Sequence, residues 1–154
     1  MCFLDASKAF DRVNHWHLFT KLLKRGFPKL IVRLLMIWYT CQKFSVQWGH
    51  CMSSMFTVLN GVRQGGILSP VLFNAFVDDL SIALQNVQAG CFFKEVNFNH
   101  LIYADDTVLL APSPSGLQKL LDVCETFAKE NELVYNTKKT VCMCFSSQAN
   151  RVCH

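Results

Sequence analysis

Three aspartates carry the first chemical signal in this chain. Asp105 and Asp106 are adjacent and interrupt one of its most apolar regions, with Leu101–Tyr103 before them and Val108–Ala111 after. Neighbouring carboxylates repel unless a cation neutralises them. Asp5 ends a short apolar run, Cys2–Leu4, as a carboxylate at the end of a buried strand would. Acids at strand ends offer hard oxygens of the kind magnesium takes, one or two carboxylates at a time with phosphate oxygens and water completing the shell. Two such ions ~3.5–4 Å apart activate a hydroxyl and stabilise a phosphoryl group in transfer. The competing reading is a solvent-exposed hairpin turn, since aspartate favours turns. Against it, a two-residue turn usually wants glycine where φ is positive, and Ala104–Thr107 contains none. The pattern alone leaves both readings open.

The surrounding pattern predicts the elements that must hold these acids. Leu18, Phe19, Leu22 and Leu23 recur at helical spacing from His15 to Lys24, and Gly26 is a stop. A second helix from Pro28 has Leu30, Ile31, Leu34, Leu35 and Trp38 as its apolar face. Phe44, Val46 and Trp48 alternate with polar residues, predicting a half-buried strand that pairs with Met55–Leu59 across the Gly49 region. The polar stretch Asn60–Gly66 is a loop, and Ser69-Pro70 caps a long apolar helix to about Leu84. Strand-turn-strand follows around Asp105-Asp106, then an amphipathic helix capped by Ser115, then a strand from Thr140 to Phe145 with Val141, Met143 and Phe145 facing the core. This order suits an α+β fold, a split βαβ (ferredoxin-like) antiparallel sheet with helices on one face.

A chain of 154 residues that is 51% hydrophobic buries one sizeable core, which argues for a single domain. Its net charge of +4 permits a polyanionic partner without requiring one. Lys21, Lys24, Arg25, Lys29 and Arg33 gather across the two predicted helices, either as a solvated face or in contact with a nucleic-acid backbone. Eight cysteines without a secretory leader at the start read as free thiols in an intracellular, reducing compartment, not a secreted disulfide framework. The most membrane-like stretch, Leu30–Tyr39, is broken by Arg33 and falls short of the ~20 apolar residues of a spanning helix. Cys142, Cys144, Cys153 and His154 could offer four zinc ligands, but their spacing is not a standard one.

Four segments in order then carry a family resemblance. Tyr103-Ala104-Asp105-Asp106, flanked by Asn99–Ile102 and Thr107–Ala111, resembles the catalytic box of reverse transcriptases of LINE-type non-LTR retrotransposons. Phe3–Asp11 resembles the first motif of the polymerase palm, Asn60–Pro70 the second, and Leu133–Thr140 the fourth. The similarity runs to about Phe145, which implies a palm over residues 1–145 and a C-terminal tail over 146–154.

The resemblance implies an RNA-directed DNA polymerase that transfers nucleotides onto a primer 3′-hydroxyl with two Mg2+ ions, Mn2+ being a substitute. It implies an RNA template, a DNA primer and deoxynucleoside triphosphates as partners, in cytoplasm and nucleus and away from membranes. Asp5 and Asp105 would hold both ions, with Asp106 as a more peripheral acid and the backbone carbonyl of Ala6 joining them. Phe10 would abut the sugar of the incoming nucleotide; by position alone it is core packing. Gln64 and Gly65 would approach nucleotide and template, glycine permitting close backbone contact, with Arg63 helping on phosphate; by composition alone the stretch is a loop. Lys139, with Lys138 as its neighbour, would neutralise the leaving pyrophosphate. Asp11, Asp78 and Asp79 are assigned to surface or structural roles. The fingers and thumb of a polymerase are missing from this stretch, so the alternative reading is a catalytically inactive truncated relic that at most binds nucleic acid.

Overall fold

The computed structural model describes residues 1–145. In chain order the elements are β1 (Cys2–Asp5), a 3-10 turn (Phe10–Arg12), α1 (His15–Lys24), α2 (Lys29–Thr40), β2 (Lys43–Phe44), β3 (Gln47–Trp48), β4 (Cys51–Met52) and β5 (Phe56–Thr57). There follow α3 (Ser69–Gln85), β6 (Cys91–Phe93), β7 (Val96–Phe98), β8 (His100–Tyr103), β9 (Asp106–Leu109), α4 (Pro114–Glu130) and β10 (Val141–Cys142). The fold is α+β, with four α-helices and antiparallel sheets among the described residues. Its contacts gather into two compact units, one of Met1–Ser7 with Asp78 onward, the other of Lys8–Val77. No helix among the described residues is long and apolar enough to cross a membrane.

The first unit is built on a four-stranded sheet in the order β10-β1-β9-β8. Residues opposite one another in an antiparallel pair share a face, and alternate residues along a strand change face. Cys2 pairs with Leu109 and Cys142, and Leu4 with Thr107, so these lie on one face. Cys2, Leu4, Thr107 and Leu109 are all buried there. Helix α4 covers it, packing on β9 and burying Leu120, Cys124, Phe127 and Ala128. The opposite face carries Phe3, Leu101, Tyr103 and Val141, all exposed. Burial raises the thiols of Cys2 and Cys124 to about 12, so both stay protonated; a hydrogen bond with Cys142 adds to the effect at Cys2. All seven described cysteines are free.

Three expectations for this unit are corrected. Val141, Met143 and Phe145 are exposed, because the register sets Cys142 against Cys2 on the covered face and Val141 against Phe3 on the open one. The strand there is Val141–Cys142 only. Helix α4 begins two residues earlier than expected: Ser113, not Ser115, is its N-cap, accepting from the Gly116 N–H at 3.2 Å, with Pro114 in the first turn. The hairpin β6–β7 was not foreseen; Phe93 opposes Val96, and Lys94 takes φ 55° in the two-residue turn. Of the four possible zinc ligands, Cys153 and His154 lie outside the described residues.

In the second unit, Asn14 caps α1 by accepting from the Trp16 and His17 N–H groups, and Gly26 ends it with φ +79°. Leu18, Phe19 and Leu22 of α1 are buried, as are Val32, Leu35 and Tyr39 of the adjoining α2. The apolar face foreseen for α2 is corrected: Leu30, Ile31, Leu34 and Trp38 are exposed, and of the foreseen set Leu35 alone is buried. The foreseen hairpin forms as two short ladders, β2–β5 and β3–β4, and Trp48 is 85% exposed, not half-buried.

Asn99 ties the end of α3 to the sheet. Its Nδ2 donates to the carbonyls of Leu84 at 2.6 Å and Ala89 at 3.1 Å, and its Oδ1 accepts from His100 Nδ1 at 2.7 Å. His100 Nε2 therefore accepts from Ser81 Oγ at 2.7 Å. An Asn99→Asp chain, the same size but with an acceptor facing two buried carbonyls, is expected to lose about 3 kcal/mol of stability in urea denaturation. A loss within error of zero would remove Asn99 from this role. Burial holds the His100 imidazole below its ordinary value of 6.5. The unfolded chain then binds more protons on acidification, so this contribution is complete above about pH 6.5 and is lost as pH falls through that value toward the folded one. The urea midpoint should drop across this window, and less so in His100→Gln; parallel curves would contradict the assignment.

Candidate catalytic site at the end of the sheet

The strand register sets the central feature. Asp5 closes β1, Asp106 opens β9, and the two are direct partners across the antiparallel pair. Their side chains leave the same, open face, together with Tyr103, the partner of Asp106 on β8. Directly opposed residues have Cβ atoms about 4.5–5.5 Å apart, so two like charges oppose each other there. Asp105 lies in the two-residue turn, preceded by Ala104 at φ +53°. The turn thus has the sign pattern of a II′ hairpin, with alanine where glycine is preferred. The exposed hairpin turn is present, with Asp105 and Asp106 both exposed, and Asp106 in addition opposes Asp5 across the strand pair.

Lys139 brings positive charge, its Nζ 3.9 Å from Asp5 Oδ1. With Lys139 70% exposed, this contact is worth little in itself. Its place is set by Asn136, to which the sequence reading gave no role. The Asn136 N–H donates to the Asp5 carbonyl at 2.7 Å, and its own carbonyl accepts from the Lys139 and Thr140 N–H groups at 3.1 and 2.9 Å. Its Oδ1 accepts from the Lys138 N–H at 3.1 Å, an Asx turn. The N-x-[Lys-Lys] spacing was the available signal. Ala6 bridges to Tyr135 through flanking groups, Ser7 N–H to Val134 and Asn136 N–H to Asp5, which leaves the Ala6 carbonyl outside that pair.

The other foreseen residues belong to the Lys8–Val77 unit. Phe10 is half-buried and stacks on Phe73, centroids 4.5 Å apart and planes 14° from parallel, so one face of its ring is packing. Arg63, Gln64 and Gly65 are exposed, and Gln64 Nε2 reaches Asp11 Oδ1 at 3.4 Å. Gly65 takes φ +77° in open space; the close approach is at Gly61, where a Cβ would meet the Asp11 carbonyl oxygen at 2.9 Å. Gly61 is also held by Val13, whose carbonyl accepts its N–H at 2.7 Å, and by His15 Nε2, which donates to its carbonyl at 2.8 Å. His15 is a second residue the sequence reading passed over. It lies under the loop in a cavity of about 420 Å³ with Tyr39 and Phe44.

Among the described residues no three His, Cys, Asp or Glu side chains gather as a metal cluster. The opposed pair Asp5 and Asp106, with Asp105 beside it in the turn, is what the sheet end offers. Asn136→Ala is expected to cost about 1 kcal/mol by removing the side-chain bond to Lys138, with Asn136→Asp restoring it, read in thermal unfolding. Equal stability of all three chains would show that the turn holds without it.

Comparison with known proteins gives the chain's relatives. The family described as "Reverse transcriptase (RNA-dependent DNA polymerase)" matches residues 1–152. A "Retrovirus-related Pol polyprotein from type-2 retrotransposable element R2DM" of Drosophila melanogaster is 33% identical over 150 residues, covering 97% of this chain and 14% of that protein. An "RNA-directed DNA polymerase from mobile element jockey" of Drosophila funebris is 33% identical over 152 residues, 95% of this chain and 16% of that protein. The chain therefore spans about a seventh of the length of these relatives. Among solved structures, apo telomerase from Candida tropicalis, truncated from its C-terminal domain, superposes with a TM-score of 0.73 at 16% identity, over 97% of this chain and 31% of that one. Telomerase from Candida albicans, solved with a fragment of telomeric RNA, gives 0.68 at 13% identity, over 96% and 27%. These likenesses show a shared fold; the family model, which matches nearly the whole chain, shows that the chain belongs to the reverse transcriptase family.

Proposed function

We propose that this chain is the palm of an RNA-directed DNA polymerase of a non-LTR retrotransposon, residues 1–145 forming the palm, and that it transfers a nucleotidyl group from a deoxynucleoside triphosphate to a primer 3′-hydroxyl on an RNA template. The carrying observation is the opposition of Asp5 and Asp106 at the open end of the sheet, with Asp105 in the adjoining turn. The split βαβ reading is supported by the order β10-β1-β9-β8, in which the first strand is central and the last returns beside it. Free thiols support an intracellular setting.

The donor set fits magnesium: carboxylate oxygens and a backbone carbonyl, with no soft ligand among them. Asp5, Asp105, Asp106 and the Ala6 carbonyl would hold the ions, two in number. When bound, such ions supply Lewis acidity to the hydroxyl and the phosphoryl oxygens. The chain's own part is positioning and charge. Asp5 and Asp106 present negative charge on one face at a separation fixed by strand pairing, so little reorganises when a cation arrives. Lys139 holds a cation beside Asp5, where negative charge builds as pyrophosphate departs. Phe10, pinned by Phe73, offers a rigid ring edge to a sugar, and excess bulk there would reject a 2′-hydroxyl. The loop of Arg63, Gln64 and Gly65 leaves polar groups and a Cβ-free backbone open to nucleotide and template.

Manganese titration followed by electron paramagnetic resonance tests the acids directly. The chain is expected to bind Mn2+ saturably, and Asp5→Asn with Asp106→Asn to weaken binding about tenfold or more. Equal binding by both chains would refute the site. Primer extension on an RNA template with Mg2+ then tests the reaction, and any extension should vanish in Asp105→Ala with Asp106→Ala.

A further inference from the structure

Strand β10 is the short edge of the four-stranded sheet, two residues long against four in each of its companions. It pairs with β1 at two positions, Cys2 with Cys142 and Phe3 with Val141, and both of its residues are exposed. So short a ladder on a rim is the kind of segment that opens locally while the rest of the fold stays closed. Just past it, the Met1 nitrogen donates to the Met143 carbonyl and the Met143 N–H to the Met1 carbonyl, both at 2.8 Å. Met1 and Met143 are thus a hydrogen-bonded pair, and alternation makes the next, Cys2 with Cys142, a non-hydrogen-bonded one. Cα atoms in such a pair lie about 4.5 Å apart, with the side chains drawn together on one face. A disulfide spans Cα separations of about 4.4–6.8 Å, so these two cysteines are within reach of each other without movement of the backbone. A thiol–thiol hydrogen bond already joins them.

The two thiols differ in access: Cys142 is exposed and Cys2 is buried. Cys2 fills the covered face as a small apolar side chain would, but packing gives no account of a thiol at 142, on the rim. A third thiol, Cys124 on α4, acts electrostatically on Cys2, yet it is itself buried and hydrogen-bonded with Tyr135. The exposed Cys144 lies past the end of β10. We propose that Cys2 and Cys142 are a redox-responsive pair, closing a disulfide that fastens β10 to β1 when a hydroperoxide reaches the thiol at 142. The Cys142 sulfur attacks the peroxide, the O–O bond breaks, and a sulfenic acid forms as the other oxygen leaves in water with the thiol proton. The Cys2 sulfur then attacks the Cys142 sulfur; the S–S bond forms, the S–O bond breaks, and hydroxide departs with the Cys2 proton as a second water. Two thiols are oxidised and one peroxide is reduced to two waters. In a reducing compartment the link is transient, reopened by exchange with small thiols. Cys2 stands three residues before Asp5 and Cys142 three after Lys139, so the closed link holds in register the two segments that carry these charges. The inference does not depend on the catalytic reading, since neither thiol belongs to the proposed metal site.

The folded chain is treated with hydrogen peroxide, its remaining thiols are blocked with iodoacetamide, and it is cut with trypsin without reduction and mapped by tandem mass spectrometry. The peptide Met1–Lys8 is expected joined through Cys142 to the peptide that begins at Thr140, and dithiothreitol should release both. In concentrated urea, where no strand pairing selects the partner, the share of oxidised Cys142 joined to Cys2 should fall about fivefold or more. Two exposed positions serve for variants that keep the core intact: Cys144→Ser should retain the link and Cys142→Ser abolish it. Closure should also slow hydrogen exchange at the Met143 amide about tenfold or more, because the end of β10 no longer opens alone. Absence of the link, joining of Cys142 to Cys144 or to a second chain, or an equal share with Cys2 in urea overturns the pairing. Unchanged exchange at Met143 overturns the fastening. Asp5→Asn with Asp106→Asn should leave the link as it is, so failure of this pair and failure of the catalytic site read out separately.

Discussion

Two carboxylates held opposite one another at the end of a sheet are the constraint on which the first unit turns. Asp5 and Asp106 are register partners, and neither can turn away without changing the strand pairing that holds Cys2 and Leu4 against Leu109 and Thr107. A one-residue slip would exchange every face of β1, exposing the core residues and burying the acid. Burial on the covered face thus fixes the repulsion on the open one. The turn adds to the strain, because Ala104 adopts a backbone conformation in which its Cβ is crowded. Strain at one spot, held by well-packed surroundings, is a mark of a functional position when a ligand that relieves it can be named. A hard cation is such a ligand.

Asn136 extends the same logic to the neighbouring loop. By binding the Asp5 carbonyl with its N–H and collecting the N–H groups of Lys138, Lys139 and Thr140, it makes the position of a cation depend on the strand that ends in the acid. In the other unit His15 does likewise for the loop of Gly61 to Gln64, through the Gly61 carbonyl. Neither residue carries the proposed chemistry. Each fixes backbone whose side chains would, which is how a site on loops gains precision.

Much of this was legible in the residues. Helix α1 was read with its bounds because the apolar period and the Gly26 stop act locally. The aspartates were legible because charge inside an apolar run is costly and so informative. What was not legible depended on partners distant in sequence. The apolar stripe of α2 could face either way, and the packing of Val32, Leu35 and Tyr39 chose the opposite side. Strand β10 alternates equally well in both registers, and the pairing of Cys142 with Cys2, well over a hundred residues away, decided it. Hairpin β6–β7 had no turn glycine, since Lys94 takes the positive φ itself. Asn136 and His15 were passed over because the bonds that give them their roles run to backbone atoms distant in sequence, Asp5 and Gly61.

Charge divides unequally between the two units: Lys8–Val77 has nine lysines and arginines and one acid, the other unit six and ten. The opposed acids lie in a unit whose net charge is negative, a field that favours cations. A triphosphate or a primer reaching those acids therefore needs cations there to offset the repulsion. The basic unit supplies what the acidic one cannot, since its nine cations and lone acid attract phosphate over distances set by the Debye length, ~8 Å at physiological salt. Had the same charges been mixed evenly over both, lysines would have paired with the acids at Asp5, Asp105 and Asp106 and competed with metal for them. The long, exposed contact of Lys139 with Asp5 is the small residue of that competition, near enough to bias charge and too weak to close the site.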